Sequence, residues 1–178
     1  MKKISAHITK KVADRLEEIF KENRSEFESK WDDIGIFIKY GMISDEKFSE
    51  RAMKFCLLKS TENKYFTIDE YRDKVSPVQT DKDNKLVLLY SSSPDDQHAY
   101  IDAARERGYD VLHFEGPLDS HFINTMEYKL ENVSFTRVDS DTVDNLIRKT
   151  DSSESLLTKD QQEQLKEKDL ATYGFLGY

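Results

Sequence analysis

Ser91–Ser92–Ser93, followed by Pro94, Asp95 and Asp96, form the first stretch in which binding or catalytic chemistry should be sought. The stretch lies between a strand-like apolar run and a helical pattern, a position where parallel α/β proteins often hold anions. It has no glycine to let a phosphate approach the backbone, and its two carboxylates would repel one. The plainer reading is a helix start, with Ser93 as cap, Pro94 at the first helical position and two acids in the first turn. His98, His113 and His121 have neither HExxH nor CxxC-type spacing, so no metal set is legible. His113 alternates with Leu112 and Phe114, as a partly buried, hydrogen-bonded histidine in a strand would. Cys56 lacks a catalytic context and reads as a small core residue. The pairs Asp32–Asp33 and Glu17–Glu18 are adjacent and diverge by about 100° on a helix, so neither is a facing carboxylate pair. No catalytic residue and no metal ligand is assigned.

The bulk properties narrow the partners. Net charge is −8 over 178 residues, which argues against a general nucleic-acid binder, since phosphate neutralisation needs clustered Lys and Arg. With 35% charged and 37% hydrophobic residues the chain reads as a polar globular protein. A single cysteine rules out an internal disulfide and suits a reducing compartment. No run approaches the ~20 apolar residues of a membrane helix, and "MKKISAHITKK" lacks a signal-peptide core. The cytoplasm is the expected location, with no membrane partner.

Elements that could position these residues change character near residue 80. Ile4, Ile8, Val12, Leu16, Ile19 and Phe20 recur at spacings of three and four, which predicts a first helix with one inward stripe. "SEFE" (25–28) fits a capping box opening a second helix through Trp31, Ile34, Ile38 and Tyr40, with Gly41 placed to end it. Ser44, Asp45 and Glu46 open a third, carrying Phe48, Ala52, Phe55 and Cys56 inward. "TIDE" (67–70) is another capping box, leading through Tyr71 and Val75 to a turn at Pro77 and "TDKDNK". Then "KLVLLYS" (85–91), "YDVLHF" (109–114) and "VSFTRV" (133–138) read as strands. Helices lie between them, the first ending at Gly108 and the second, "LDSHFINTMEYKL", capped by Asp119. Strand–helix–strand–helix–strand with short connections implies parallel right-handed crossovers and a small three-layer α/β/α unit. The expected fold is therefore α/β: a connector of three helices over 1–60, an α/β/α subdomain over 61–147, and 148–178 as linker or the start of a further domain.

Several of these stretches carry a family resemblance. "KKISAHITKKVADRLEEIF", "FESKWDDIGIFIKYGMISDEKFSERAMKFCLL", "YFTIDEYRDKV" and "QTDKDNKLVLLYSSSPDDQHAYIDAARERGYDVLHF" together resemble the heat shock protein 90 family of the bacterial HtpG type, over about residues 1–147. The most specific piece is Phe27, Trp31, Gly35, Lys39 and Gly41 in the pattern FxxxWxxxGxxxKxG; "ERAMKFCLLKS" is the next. The matched part is the C-terminal half of that family's middle domain. "LTKDQQEQLKE" resembles the lead-in to its dimerising domain, and from Lys168 onward the sequence departs from the pattern.

The resemblance implies an ATP-driven molecular chaperone of the heat-stress response whose nucleotide site, with ATP and Mg²⁺, lies upstream and whose dimer interface lies downstream. The chain alone is then expected to bind no cofactor, to neither bind nor hydrolyse ATP, and to be mainly monomeric, although the full-length family is homodimeric. Its partners would be client polypeptides and the chaperone's other domains. Phe27, Trp31, Gly35 and Gly41 would form the structural connector that packs two subdomains together. The helix "DSHFINTMEY" corresponds to one on the cleft-facing side implicated in client contact, which nominates Asp119, Ser120, His121, Phe122 and Asn124. Bacterial members often carry tryptophan where His121 stands. The residues alone also allow a different class: a free-standing α/β domain binding a small ligand near Ser91–Ser93 and Glu115–Pro117.

Overall fold

The apolar spacing of the first twenty residues folds as one long helix, α1 (Lys2–Glu22), in the computed structural model, which describes residues 2–149. Leu16, Ile19 and Phe20 pack against the core and Ala13 is buried, whereas Ile8 and Val12 stay exposed. The expected second helix is divided at Lys30 into α2 (Arg24–Ser29) and α3 (Trp31–Ser44). Its cap lies two residues earlier than expected. The Asn23 side chain accepts from the Glu26 N–H at 3.1 Å, and Ser25 sits inside the helix.

Gly41 does not end α3. A Cβ there would come 2.7 Å from the Phe48 ring, and one at Gly35 would come 2.8 Å from the Trp31 ring. Both glycines thus make room for aromatic packing. The helix instead ends at Ser44, where Asp45 takes over as cap of α4 (Glu46–Ala52) by accepting from the Phe48 N–H. Tyr40 lies within α3, as the pattern expects, and is exposed.

A hairpin that the residue patterns did not reveal follows: β1 (Leu57–Lys59) pairs antiparallel with β2 (Tyr65–Thr67). The Thr67/Glu70 capping box opens α5 (Ile68–Gln79) as expected, but the helix runs through Pro77. Proline removes one helical N–H, and the Ser76 hydroxyl donates to the Asp73 carbonyl left without it, at 3.4 Å. The turn that follows is closed by Asp81, which accepts from the Asp83 and Lys85 N–H groups.

The strands β3 (Leu86–Ser91), β4 (Val111–His113) and β5 (Val133–Arg137) form a parallel sheet in the order β4-β3-β5. Leu89 pairs with Val111, and Leu86 with Val133. Two crossovers leave on opposite faces: α6 (His98–Glu106) from β3 to β4, and α7 (Asp119–Lys129) from β4 to β5. Alternation along β3 explains the layering. Leu86 and Leu88 join the cluster of α7 and the helical part, while Val87 and Leu89 meet Ile101, Ala104 and the short α8 (Val143–Leu146).

Helix α6 starts at His98 rather than at Pro94, because Gln97 occupies the cap position and residues 94–97 form a separate turn. Gly108, with φ at +77°, ends it as expected. The larger apolar cluster runs without a break from Ala13 to Val133, and contacts group Met1–Ile147 as one unit. "LTKDQQEQLKE" and the stretch from Lys168 lie outside the described residues.

Candidate functional site: helix α7 and its seat on the connector

Helix α7 is amphipathic, and its two faces divide the nominated residues. Phe122, Ile123 and Met126 point inward, as does Asp119, while Ser120, His121 and Asn124 are exposed. Phe122 is fully buried, with its ring centroid 6.1 Å from that of Phe114. Of the residues nominated for client contact, Phe122 thus lies in the core together with Ile123 and Met126. At three residues from Asp119 and four from Met126 it falls on the stripe that covers the sheet. Tyr128, 92% exposed, extends the outer stripe of His121 and Asn124 by one further turn. Its i+7 spacing from His121 was the signal available in the sequence.

Asp119 begins α7 instead of capping it; Leu118 is the cap residue. The carboxylate has a different task. One oxygen accepts from Lys39 Nζ of α3 at 2.5 Å, and the other accepts from the Gly116 N–H at 2.8 Å. Lys39 also lies over the Phe114 and Phe122 rings, 5.1 and 5.3 Å from their centroids. A cation among ring faces and one carboxylate is well compensated despite burial. At the other end of α7, Lys129 Nζ donates to Glu46 of α4 at 2.5 Å. The outer face is thus presented from a helix anchored at its first turn by a largely buried pair and bridged at its last by a solvent-facing one.

The connector residues come together around aromatic rings. Phe27 contacts Phe20 edge-on (5.4 Å), lies 6.1 Å from Trp31 and 6.3 Å from Phe55, and Phe55 in turn meets Phe48. Trp31 and Phe48 rest against Gly35 and Gly41.

Beside this seat lies a cleft of about 400 Å³ lined by Trp31, Gly35, Lys39, Lys59, His113 and Glu115 among others. Its charges satisfy one another: Lys59 donates to Asp32 at 2.9 Å, and His113 Nε2 meets Glu115 at the same distance. Glu115–Pro117 border this cleft, but Ser91–Ser93 do not. The serine turn closes on itself instead. The Ser91 hydroxyl donates to the Gln97 side-chain oxygen at 2.7 Å, and that oxygen also accepts from the Ser92 N–H. Cys56 is wholly buried and desolvation raises its thiol pKa to about 12, so it stays a neutral core group. Among the described residues no group of three or more His, Cys, Asp or Glu could hold a metal ion, and no helix is long and apolar enough to cross a membrane.

Comparison with known proteins matches residues 1–173 to the model of the Hsp90 protein family. The chaperone protein HtpG of Bacteroides fragilis (strain YCH46) is 50% identical over 165 residues, covering 93% of this chain and 24% of its own length. That of Porphyromonas gingivalis (strain W83) is 51% identical over 158 residues, covering 89% of this chain and 23% of its own. The chain thus spans about a quarter of the length of these curated relatives. Among solved structures, the middle domain of a Plasmodium falciparum heat shock protein superposes with a TM-score of 0.58 at 16% identity, over 78% of this chain and 57% of that one. At that identity the likeness concerns the fold alone.

Proposed function

The chain belongs to the Hsp90 protein family, and we propose that it forms the part of an HtpG-type chaperone that couples neighbouring domains and touches client polypeptides. The observation that carries the reading is the outer face of α7. Ser120, His121 and Asn124 stand exposed on a helix whose inner face is fixed to the connector by Lys39–Asp119 and Phe122. Polar, adaptable side chains on a rigid helix suit weak contact with varied polypeptides better than a preformed apolar pocket would. Coupling is supported by the apolar cluster shared between the helical part, taken as 1–60, and the α/β part, taken as 61–147.

The ATP-driven cycle, with its nucleotide, Mg²⁺ and dimer contacts, is assigned in this reading to portions of the longer family proteins outside this chain, and its location to the cytoplasm. No catalytic residue is assigned within the chain, and calorimetry with ATP is expected to give no binding heat. The site is tested by replacing His121 and Asn124 together with alanine and titrating with an unfolded model client. Affinity should weaken about fivefold, roughly 1 kcal/mol, as expected for contacts short of a hot spot. Thermal stability should hold, because both residues are exposed. Unchanged affinity rejects this face as the contact.

A further inference from the structure

Four observations converge on Lys39. It lies in α3, four residues after Gly35 and eight after Trp31, so the connector's aromatic packing fixes the turns from which it extends. Its ammonium reaches the first residue of α7, and the two side chains are only 13% and 8% exposed. The two rings flanking it come from the end of β4 and from α7. The carboxylate that it meets also holds the Gly116 N–H, so the β4–α7 loop closes on the same group. The Lys129–Glu46 pair at the far end of α7 differs: Glu46 is 71% exposed, and solvent screens the attraction.

We infer that Lys39 is a positioning residue through which the connector helix sets the start of α7 and thereby the presentation of Ser120, His121 and Asn124. Rotation or translation of α3 should carry the first turn of α7 with it while the pair holds, because both side chains are largely buried and parting them would leave each charge poorly compensated. The loop's own hydrogen bonds then follow, since Gly116 is tied to the same carboxylate. The effect on clients rests on the contact reading given above; the mechanical coupling of α3 to α7 does not.

Amide hydrogen exchange on the 178-residue chain separates the two. Lys39→Met keeps the apolar stem and removes the charge. It should speed exchange over residues 118–124 about tenfold while β3 changes much less, because the opening is local. Lys39→Arg, which keeps the cation, should restore most of the protection. Adding Asp119→Asn to Lys39→Met should bring exchange back toward wild type by removing the uncompensated carboxylate. Should Lys39→Met alone not fold, Lys39→Arg and the double variant still decide the matter. A rise in exchange of the same factor in β3 and α7, or no change in any variant, overturns the inference. Local opening in Lys39→Met with unaltered client affinity would leave the coupling standing and reject the client reading instead.

Discussion

The helical part and the α/β part of this chain dispose of their large apolar residues differently. In the α/β part the strand residues Leu86–Leu89 are buried on both faces, because helices cover the sheet from either side. In the helical part Ile8, Val12, Phe37 and Tyr40 remain exposed along a groove between α1 and α3 that Leu16, Ile34 and Phe48 also line. A parallel sheet brings its own two covering layers through its crossovers. A row of helices supplies only one neighbour per face, and an apolar stripe can outrun the partners available. The difference also sorts substitutions. Changes at residues enclosed by both parts should cost most, and changes at the exposed side chains along the groove should cost least.

Four substitutions test that ordering. Phe122→Ser leaves a cavity beside Phe114 and Lys39 and should destabilise by about 3–5 kcal/mol, read as a fall of roughly 10 °C or more in thermal midpoint. A shift of a degree or two would mean that Phe122 is not enclosed. Gly41→Ala comes next. Alanine favours a helix by about 1 kcal/mol over glycine, yet its Cβ would lie 2.7 Å from the buried Phe48 ring. The net result should be a loss of about 1–3 kcal/mol in denaturant unfolding; a gain in stability would show that the ring yields.

Glu70 gives a smaller, pH-dependent effect. The Arg24 side chain bonded to it, aided by the Thr67 N–H, lowers its pKa to about 2 from 4.5. A carboxyl depressed on folding adds stability above its unfolded value and loses that contribution as pH falls through the folded one. The window is therefore about pH 4.5 down to 2. Because the pair is more than one-third exposed, the contribution should stay below about 1 kcal/mol. Glu70→Gln should be less stable than the parent at pH 7 and converge with it near pH 2; parallel curves across that window would remove the assignment. Phe37→Ser should change stability least, by under about 0.5 kcal/mol, since the side chain is 74% exposed. A larger loss would show that the groove is closed in solution.

The same contrast explains what could be read from the residues. The three strands, the Thr67/Glu70 box and the Gly108 stop are local signals, and each stood in the sequence. The apolar stripe of α1 outruns its buried part, because period alone does not say where the neighbouring helix ends. Gly41 resembles a stop in the sequence, since a glycine needed for ring packing looks the same there as a glycine needed for a turn. The β1–β2 hairpin was hidden by short strands of three residues joined through Asn63, whose φ is +58°. At the site, α7 is legible from its own residue pattern, the resemblance only nominates it for contact, and its exposed and buried stripes follow from helical spacing. The Lys39–Asp119 pair spans eighty residues, and no local pattern connects its two ends.

In the proposed reading, clients meet the outer face of α7 and not the apolar groove between α1 and α3. Mapping amide chemical shifts of the labelled chain during titration with an unfolded model client distinguishes the two surfaces. Shifts are expected at Ser120, His121, Asn124 and Tyr128, with Ile8, Val12, Phe37 and Tyr40 unmoved. Shifts confined to those four groove residues, with α7 silent, would contradict that reading.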